Sequence, residues 1–229
     1  WVNWIPGGLM HTNIAASALF AATSGSSVAT AATIGTVSIP NIKLRKYSPP
    51  LFLGSLAAGG TLGILIPPSI NMIIYAVLTD TSVTDLYLAA MIPGALLAVM
   101  FSFAIFAACV IKPSLSGTRE PATWDQRIKA LKHLLPPILL FVIVVGSIYA
   151  GLATPTEAAS LGVVASLIFG FARRRINGPV LLLAFEGTMR TTAMVSLIVV
   201  MAFFLNFVLQ SIGVTEFINE FMDGLDLNP

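Results

Sequence analysis

Long apolar segments alternate with short polar connections along most of the chain. A membrane-crossing helix needs about 20 mostly apolar residues, and periodicity and length together separate such segments from ordinary helices. The apolar segments that predict membrane-crossing helices are residues 51–78, 87–111, 134–150, 158–172 and 191–209. The pattern therefore predicts an all-α polytopic membrane protein.

Composition agrees with this fold class. Hydrophobic residues make up 56% and charged residues 10% of the 229 residues, and the mean hydropathy is +0.91. A soluble domain carries about 25% charged residues, so the composition argues against a soluble domain and against nucleic-acid binding. Cys109 lies in an apolar segment and indicates neither a disulfide nor a metal site. The chain opens WVNWIPGG, without an initiating Met or a signal peptide, so we expect part of a longer protein.

The distribution of basic residues predicts the orientation. Lys and Arg cluster at 43–46, in the segment 112–133 and at 173–175, whereas the connections 79–85 and 151–157 contain neither residue. Cytoplasmic loops of membrane proteins carry an excess of Lys and Arg. We therefore expect the three basic clusters in the cytoplasm and the other two connections on the opposite side.

The basic segment 112–133 has two parts. A turn-rich loop comes first, and Trp124, Ile128 and Leu131 then recur at helical spacing opposite charged residues. This spacing predicts a short amphipathic helix before the next span. It is interpreted either as an interfacial helix or as a solvated linker helix.

Residues 14–42 do not fit a simple span. Two short apolar arms flank the sequence SGSS at 24–27, and each arm is shorter than a membrane-crossing helix. One interpretation is a re-entrant hairpin whose tip is buried in protein or faces a water-filled cavity. The alternative is one continuous helix of small residues packed closely against its neighbours.

The apolar segment 51–78 contains the sequence GGTLGILIPPS. Pro67 and Pro68 have no N–H, so the carbonyls of Gly63 and Ile64 lose their helical partners. Glycines in the preceding turn lower the cost of unwinding it. The sequence predicts two half-helices that face each other across a break in the membrane, although a simple proline kink is the alternative.

Freed carbonyls and hydroxyls at such a break offer the oxygen ligands that a small cation needs, and half-helix N-termini attract anions. The SGSS tip supplies a second group of oxygen atoms. The candidate cation- and substrate-binding residues are Ser24, Gly25, Ser26, Ser27, Gly60, Thr61, Gly63, Ile64, Pro67, Pro68 and Ser69. No other cofactor and no further metal site is expected.

A Ser–His pair would be an alternative chemistry, that of an intramembrane serine protease. His11 with Ser24 or Ser26 supplies the residue types. No nucleophile elbow and no HExxH motif occurs. The sequence therefore predicts that the protein is not an enzyme.

Polar residues in the later spans have simpler interpretations. Glu157 is expected to cap the helix that follows it, with a proton relay as the alternative. Asn206 and Gln210 are expected to hydrogen-bond to other helices. Glu186 and Arg190 have the spacing of an i,i+4 ion pair.

Three motifs together resemble a known family. ATSGSSVATAATIGTVSIP, GGTLGILIPPSINMIIYAV and GLATPTEAASLGVV resemble the large membrane subunit of tripartite ATP-independent periplasmic (TRAP) transporters, in order and in spacing. The resemblance implies a sodium-driven, elevator-type importer of organic acids, such as dicarboxylates or sugar acids, in the bacterial inner membrane. It also implies a periplasmic substrate-binding protein and a small membrane subunit as partners, and it favours the hairpin.

The family's large subunit has two inverted halves, and this chain holds one hairpin and one broken helix. The resemblance implies a transport-domain part at 1–78, with hairpin 14–42 and broken helix 51–78, and the start of a second inverted repeat at 186–229. The remaining expected parts are a scaffold helix at 87–111, a cytoplasmic loop with an interfacial helix at 112–133, and scaffold or connecting helices at 134–185. A non-transporting structural membrane subunit remains the alternative.

Overall fold

A computed structural model describes residues 2, 4–118, 123–214 and 216–217. The described residues are almost entirely helical. The helices are α1 (Leu9–Ser24), α2 (Ser27–Ser38), α3 (Pro40–Leu44), α4 (Pro49–Leu65), α5 (Ile70–Thr79), α6 (Val83–Ile111), α7 (Trp124–Tyr149), α8 (Pro155–Ala172) and α9 (Gly178–Ser211), with a short 3₁₀ turn at Pro113–Leu115.

Helices α1 and α2 form a hairpin rather than one continuous helix. Gly25 has a φ of 61°, which ends α1 in the left-handed conformation that glycine adopts without a Cβ penalty. Ser26 is extended, and its side chain accepts a hydrogen bond from the Ala29 amide, as an N-cap of α2. At the base, the Ser38 hydroxyl donates to Asn13 Oδ1 at 2.8 Å. The two arms therefore turn back on each other.

The predicted broken helix is confirmed. Helix α4 ends at Leu65, α5 begins at Ile70, and the two axes differ by 40°. Ile66 and Ser69 are extended, and the Pro67–Pro68 peptide bond is cis. The residue before a proline is biased toward this extended conformation.

The hairpin packs against α4 and α6. Helix α1 contacts α2, α4, α6 and α7, and α2 contacts α4. The buried apolar core combines residues of α1, α4 and α6: Met10, Ile14, Ala21, Phe52, Leu56, Leu62, Ile105 and Cys109, with Tyr47 from the α3–α4 connection. This burial holds the hairpin tip close to the break.

The described helices include four that are long and apolar enough to cross a membrane, α6 to α9, or five if α4 and α5 form one broken span. This number agrees with the predicted polytopic fold. At the start of α8 the Thr154 amide and hydroxyl both donate to Glu157 Oε2 at 2.8 Å, and the Glu157 amide donates to Thr154 Oγ1 at 3.4 Å. The expected capping role of Glu157 is thus confirmed.

Helix α7 differs from its prediction. The sequence predicted a short amphipathic helix ending near residue 133 and a separate span at 134–150, but Trp124–Tyr149 is one helix. A capping box formed by Thr123 and Gln126 starts this helix. Pro136 and Pro137 favour an end near residue 135, but α7 runs through both of them.

Residues 1–169 and 170–229 form two units. The described part of the second unit contains α9, which begins at Gly178 rather than near residue 191. Arg190 pairs with Glu186 Oε1 at 3.2 Å, as predicted. The Gln210 amide donates to Asn206 Oδ1 at 3.1 Å within the same helix, and neither side chain bonds to another helix among the described residues. A separation of one helical turn brings the two side chains together without a second helix.

Candidate functional site

The hairpin tip is organised by a ring of hydrogen bonds. The Ser26 amide donates to Ser24 Oγ at 3.4 Å, and the Ser24 and Thr30 hydroxyls are 3.1 Å apart. Thr30 Oγ1 in turn donates to the Ser26 carbonyl at 2.7 Å. Thr30 is fully buried. It therefore fixes the tip from inside, a role that the sequence analysis did not assign to it.

The tip meets the break between α4 and α5 through backbone atoms. The Ile70 amide donates to the Gly25 carbonyl at 3.3 Å. A Cβ placed on Gly25 would lie 2.7 Å from the Pro68 carbonyl oxygen and 3.5 Å from Ser69 Cα. Only glycine therefore fits at this contact.

Glycines on α4 let the helix approach the tip. A Cβ on Gly63 would lie 2.8 Å from the backbone of Ser26 and Ser27, and one on Gly60 would lie 2.8 Å from Ala31 Cβ. The sequence predicted that these glycines ease the unwinding of the turn before the prolines, but α4 stays helical through Leu65. Their role is close packing of backbone on backbone, which small residues permit in membrane helices.

Four helix ends converge where the tip meets the break. Helices α1 and α4 end there, and α2 and α5 begin there. The C-terminal ends present carbonyls, and the N-terminal ends present amides with a partial positive charge. The same place thus offers oxygen ligands to a cation and amide donors to an anion.

Ser69 provides the clearest polar group without a partner at this place. Its side chain is 1% exposed, and its hydroxyl has no hydrogen-bond partner among the described residues. Buried hydroxyls normally have a partner, and leaving one unpaired costs roughly 1–3 kcal/mol. The buried Ser69 hydroxyl therefore fits the predicted requirement for an oxygen ligand.

Two predicted site residues have side chains that point elsewhere. Thr61 is exposed, and its hydroxyl donates to the Ala58 carbonyl of its own helix at 2.7 Å. Its neighbours on the helix, Gly60 and Gly63, face the hairpin. The side chain of Ile64 is 41% exposed, and only its carbonyl is a candidate ligand.

A buried polar cluster at the base of the hairpin was also missed. Asn13 Nδ2 donates to Ser55 Oγ at 3.0 Å, and Asn13 Oδ1 accepts from Ser38 at 2.8 Å. All three residues are at most 8% exposed. Asn13 thus joins both arms of the hairpin to α4. The signal for it in the sequence was an Asn in a helix of mostly small and apolar residues.

The geometry excludes the Ser–His alternative. His11 and Ser24 lie 13 residues apart in α1, which corresponds to about 20 Å along a helix. The His11 ring instead contacts the Pro6 carbonyl at 2.9 Å. A helical hairpin that packs its tip against a broken membrane helix is typical of polytopic membrane proteins of the transporter class.

The family comparison gives a specific assignment within that class. The family model of the tripartite ATP-independent periplasmic transporter DctM component matches residues 1–229. The chain therefore belongs to this family of TRAP transporter large permeases, which are inner-membrane proteins and not enzymes.

Several curated relatives support the assignment. The chain is 39% identical over 179 residues (78% of the chain) to the C4-dicarboxylate TRAP transporter large permease protein DctM of Vibrio cholerae. It is 36% identical over 173 residues (75%) to the ectoine TRAP transporter large permease protein TeaC of Halomonas elongata. It is 34% identical over 201 residues (86%) to the sialic acid TRAP transporter large permease protein SiaM of Vibrio cholerae. These matches cover 39%, 40% and 46% of the relatives, so each aligned part is less than half of the relative's length.

Proposed function

We propose that this chain forms part of a sodium-coupled secondary transporter that imports organic acids. The observation that carries the proposal is the contact between the hairpin tip and the helix break, where Gly25 meets Pro68 and Ile70. In transporters, such discontinuous helices hold substrate and coupling ions. An elevator-type movement of this part against a scaffold belongs to the same proposal.

The chemistry of the tip and the break supports sodium as the coupling ion. Pro67 and Pro68 cannot donate to the carbonyls of Gly63 and Ile64, and the Ser69 hydroxyl has no protein partner among the described residues. Carbonyl and hydroxyl oxygens are the ligands that unwound helix segments offer to Na⁺. Ser24 and Ser26 at the tip supply further oxygen atoms close to them.

The substrate class follows from what the relatives are named for. C4-dicarboxylates, ectoine and sialic acid all carry a carboxylate, so a carboxylate group is the common chemistry. The N-termini of α2 and α5 meet at the site, and helix N-termini favour anions through their free amides. We therefore propose a carboxylate-bearing substrate, with part of its binding site outside this chain.

The partners are part of the proposal. The family name describes a tripartite periplasmic transporter, which supports a periplasmic partner. We expect this partner to be a substrate-binding protein that delivers the acid. A small membrane subunit is the second partner. Because the chain spans about half the length of its relatives, these partners and the lipid bilayer are assigned to the whole permease.

Ser69→Ala in the full-length permease tests the sodium proposal. Without sodium, the melting temperature should stay equal or rise, because the substitution removes a buried hydroxyl that has no partner. Sodium stabilises a protein that binds it by mass action, so the sodium-dependent rise in melting temperature should shrink. Loss of one ligand should lower the sodium affinity by roughly 10- to 100-fold.

Ser166→Ala is the matched control, since the Ser166 hydroxyl is exposed and donates to the Gly162 carbonyl of its own helix. Its sodium dependence should equal that of the wild type, with choline chloride at equal ionic strength as the reference. A Ser69→Ala permease with an unchanged sodium response would remove Ser69 from the site. A wild-type protein with no sodium response at all would favour a structural subunit.

A further inference from the structure

Two connections on one side of unit 1 are joined by a set of hydrogen bonds, which we call the loop clamp (residues 45–48 and 115–118). Tyr47 and Ser116 form an isolated antiparallel bridge, and the Ser48 amide donates to the Leu115 carbonyl at 3.4 Å. The amide and hydroxyl of Thr118 both donate to the Arg45 carbonyl, at 2.8 and 3.2 Å.

Gly117 makes the clamp possible. Its φ is +63°, and a Cβ at this position would lie 2.7 Å from the Arg45 carbonyl oxygen and 2.8 Å from the Tyr47 ring. Any other residue would be strained here and would push the two connections apart. The clamp is therefore a specific contact between the segment after the hairpin and the segment after α6.

The clamp brings together two basic clusters that are far apart in the sequence. Lys43 precedes the first segment of the clamp, and Lys46 lies within it. Lys112 lies just before the second segment. All three side chains are exposed. Residues 1–79 and 86–118 contain no Asp or Glu, so the described parts of these two connections offer no carboxylate to the lysines.

Apolar side chains flank the lysines. Leu44, between Lys43 and Arg45, is 77% exposed, and Ile111, next to Lys112, is 83% exposed. Helix α4 begins at Pro49 and α6 ends at Ile111, so the clamp lies at one end of two apolar helices. Exposed large apolar residues beside lysines are typical of surfaces that lie at the headgroup boundary of a bilayer.

We propose that the loop clamp builds a composite binding surface for anionic phospholipid headgroups, formed by Lys43, Lys46 and Lys112. Leu44 and Ile111 enter the acyl region beneath the headgroups. Positive charge next to an anionic leaflet favours binding at each lysine, and the effect weakens with salt. The proposal goes beyond transport, because it needs neither sodium nor substrate.

The test uses the purified full-length permease in nanodiscs of phosphatidylcholine with increasing phosphatidylglycerol. The melting temperature of the wild type should rise with the phosphatidylglycerol fraction, and high salt should reduce the rise. The triple variant Lys43→Gln, Lys46→Gln, Lys112→Gln should bind phosphatidylglycerol on the order of 100-fold more weakly, from about fivefold per lysine, and should therefore need a higher phosphatidylglycerol fraction for the same rise.

The control with equal charge change is Arg173→Gln, Arg174→Gln, Arg175→Gln, at the end of α8, away from the clamp in sequence. It should keep most of the response. Gly117→Ala keeps all charges but strains the clamp, so it should weaken the response if the juxtaposition matters. Equal losses in the two triple variants, or a full response in Gly117→Ala, would overturn the composite surface. The proposal would also fail if a zwitterionic lipid raised the melting temperature as much as phosphatidylglycerol does. It would fail as well if a soluble acidic protein, and not lipid, saturated the surface.

Discussion

Three Pro-Pro pairs have different outcomes in this chain. Pro67–Pro68 separates α4 from α5, whereas Pro136–Pro137 lies inside the uninterrupted α7. Pro49–Pro50 begins α4, where the missing N–H groups need no partner. The dipeptide alone therefore does not decide whether a helix breaks.

The difference lies in what surrounds each pair. The break at Pro67–Pro68 is held by another element, since the Gly25 carbonyl accepts from Ile70 and Gly63 packs on the tip. The carbonyls that Pro136–Pro137 leave without partners belong to Lys132 and His133, whose side chains are exposed at the polar end of α7. A broken helix requires contacts that replace the lost helical bonds.

The largest effect is expected from removing the proline pair at the break. Pro67→Ala with Pro68→Ala restores two amide donors, so the helix should recapture the carbonyls of Gly63 and Ile64. Sodium affinity should fall on the order of 10- to 100-fold, because carbonyl ligands are lost. The measurement is the initial uptake rate of the full-length permease against sodium concentration, and added sodium should partly restore uptake.

The matched control is Pro136→Ala with Pro137→Ala in the uninterrupted helix. Helix stability should rise because two poor helix formers are replaced, and the sodium dependence should stay that of the wild type. Equal sodium dependence in both double variants would mean that the break is a kink and that the ion binds elsewhere.

Asn13→Ala should cause the next largest effect, on stability. Asn13 is 1% exposed and joins Ser38 of the hairpin to Ser55 of α4, so its removal leaves buried groups without partners. We expect a loss of about 1–3 kcal/mol in the free energy of unfolding. Asn206→Ala, which removes one exposed bond within α9, should cost only about 0.2–0.5 kcal/mol. Denaturant unfolding measures both losses. If Asn13→Ala and Asn206→Ala lowered the free energy of unfolding equally, bonds that join two helices would be no more stabilising than bonds within one helix.

Gly63→Ala should change the stability less, because two effects oppose each other. Alanine favours the helix by about 1 kcal/mol, but its Cβ would meet the backbone of Ser26 and Ser27 at 2.8 Å. Overpacking costs about 1–3 kcal/mol, so a net loss of up to about 2 kcal/mol is expected. Gly54→Ala, in the same helix with nothing within 4 Å, should be stabilising. Thermal unfolding of the two variants should therefore give shifts of opposite sign.

The fold was largely predictable because its signals are local. Apolar length predicted the spans, Thr154 and Glu157 predicted a cap, and Pro67 with Pro68 predicted the break. The continuous α7 was not predicted, because amphipathic spacing near Trp124 suggested a separate short helix, whereas α7 runs on through Pro136 and Pro137. Local pattern locates helices better than it locates their ends.

The candidate site was predictable only in part. The tip at residues 24–27 and the break at 66–69 follow from composition, but their contact depends on which helix faces pack together. Thr30 and Ser69 are at most 1% exposed, which no spacing rule indicates. Thr61 was a candidate site residue because its hydroxyl lies near the break in the sequence. The face of the helix on which its side chain lies depends on the 100° step between successive residues.

Thr61→Val should therefore have the smallest effect, although Thr61 lies only two residues from Gly63. Its hydroxyl is exposed and donates to Ala58 of its own helix, so its removal takes no oxygen from the tip. Valine has the same shape and a similar helix propensity. Sodium affinity should change less than about twofold, whereas Ser69→Ala should lower it at least about tenfold. Sodium titrations of uptake in the two variants distinguish the two faces of the broken helix. A tenfold loss in Thr61→Val with a normal Ser69→Ala would move the ion to the opposite face of α4, away from the hairpin.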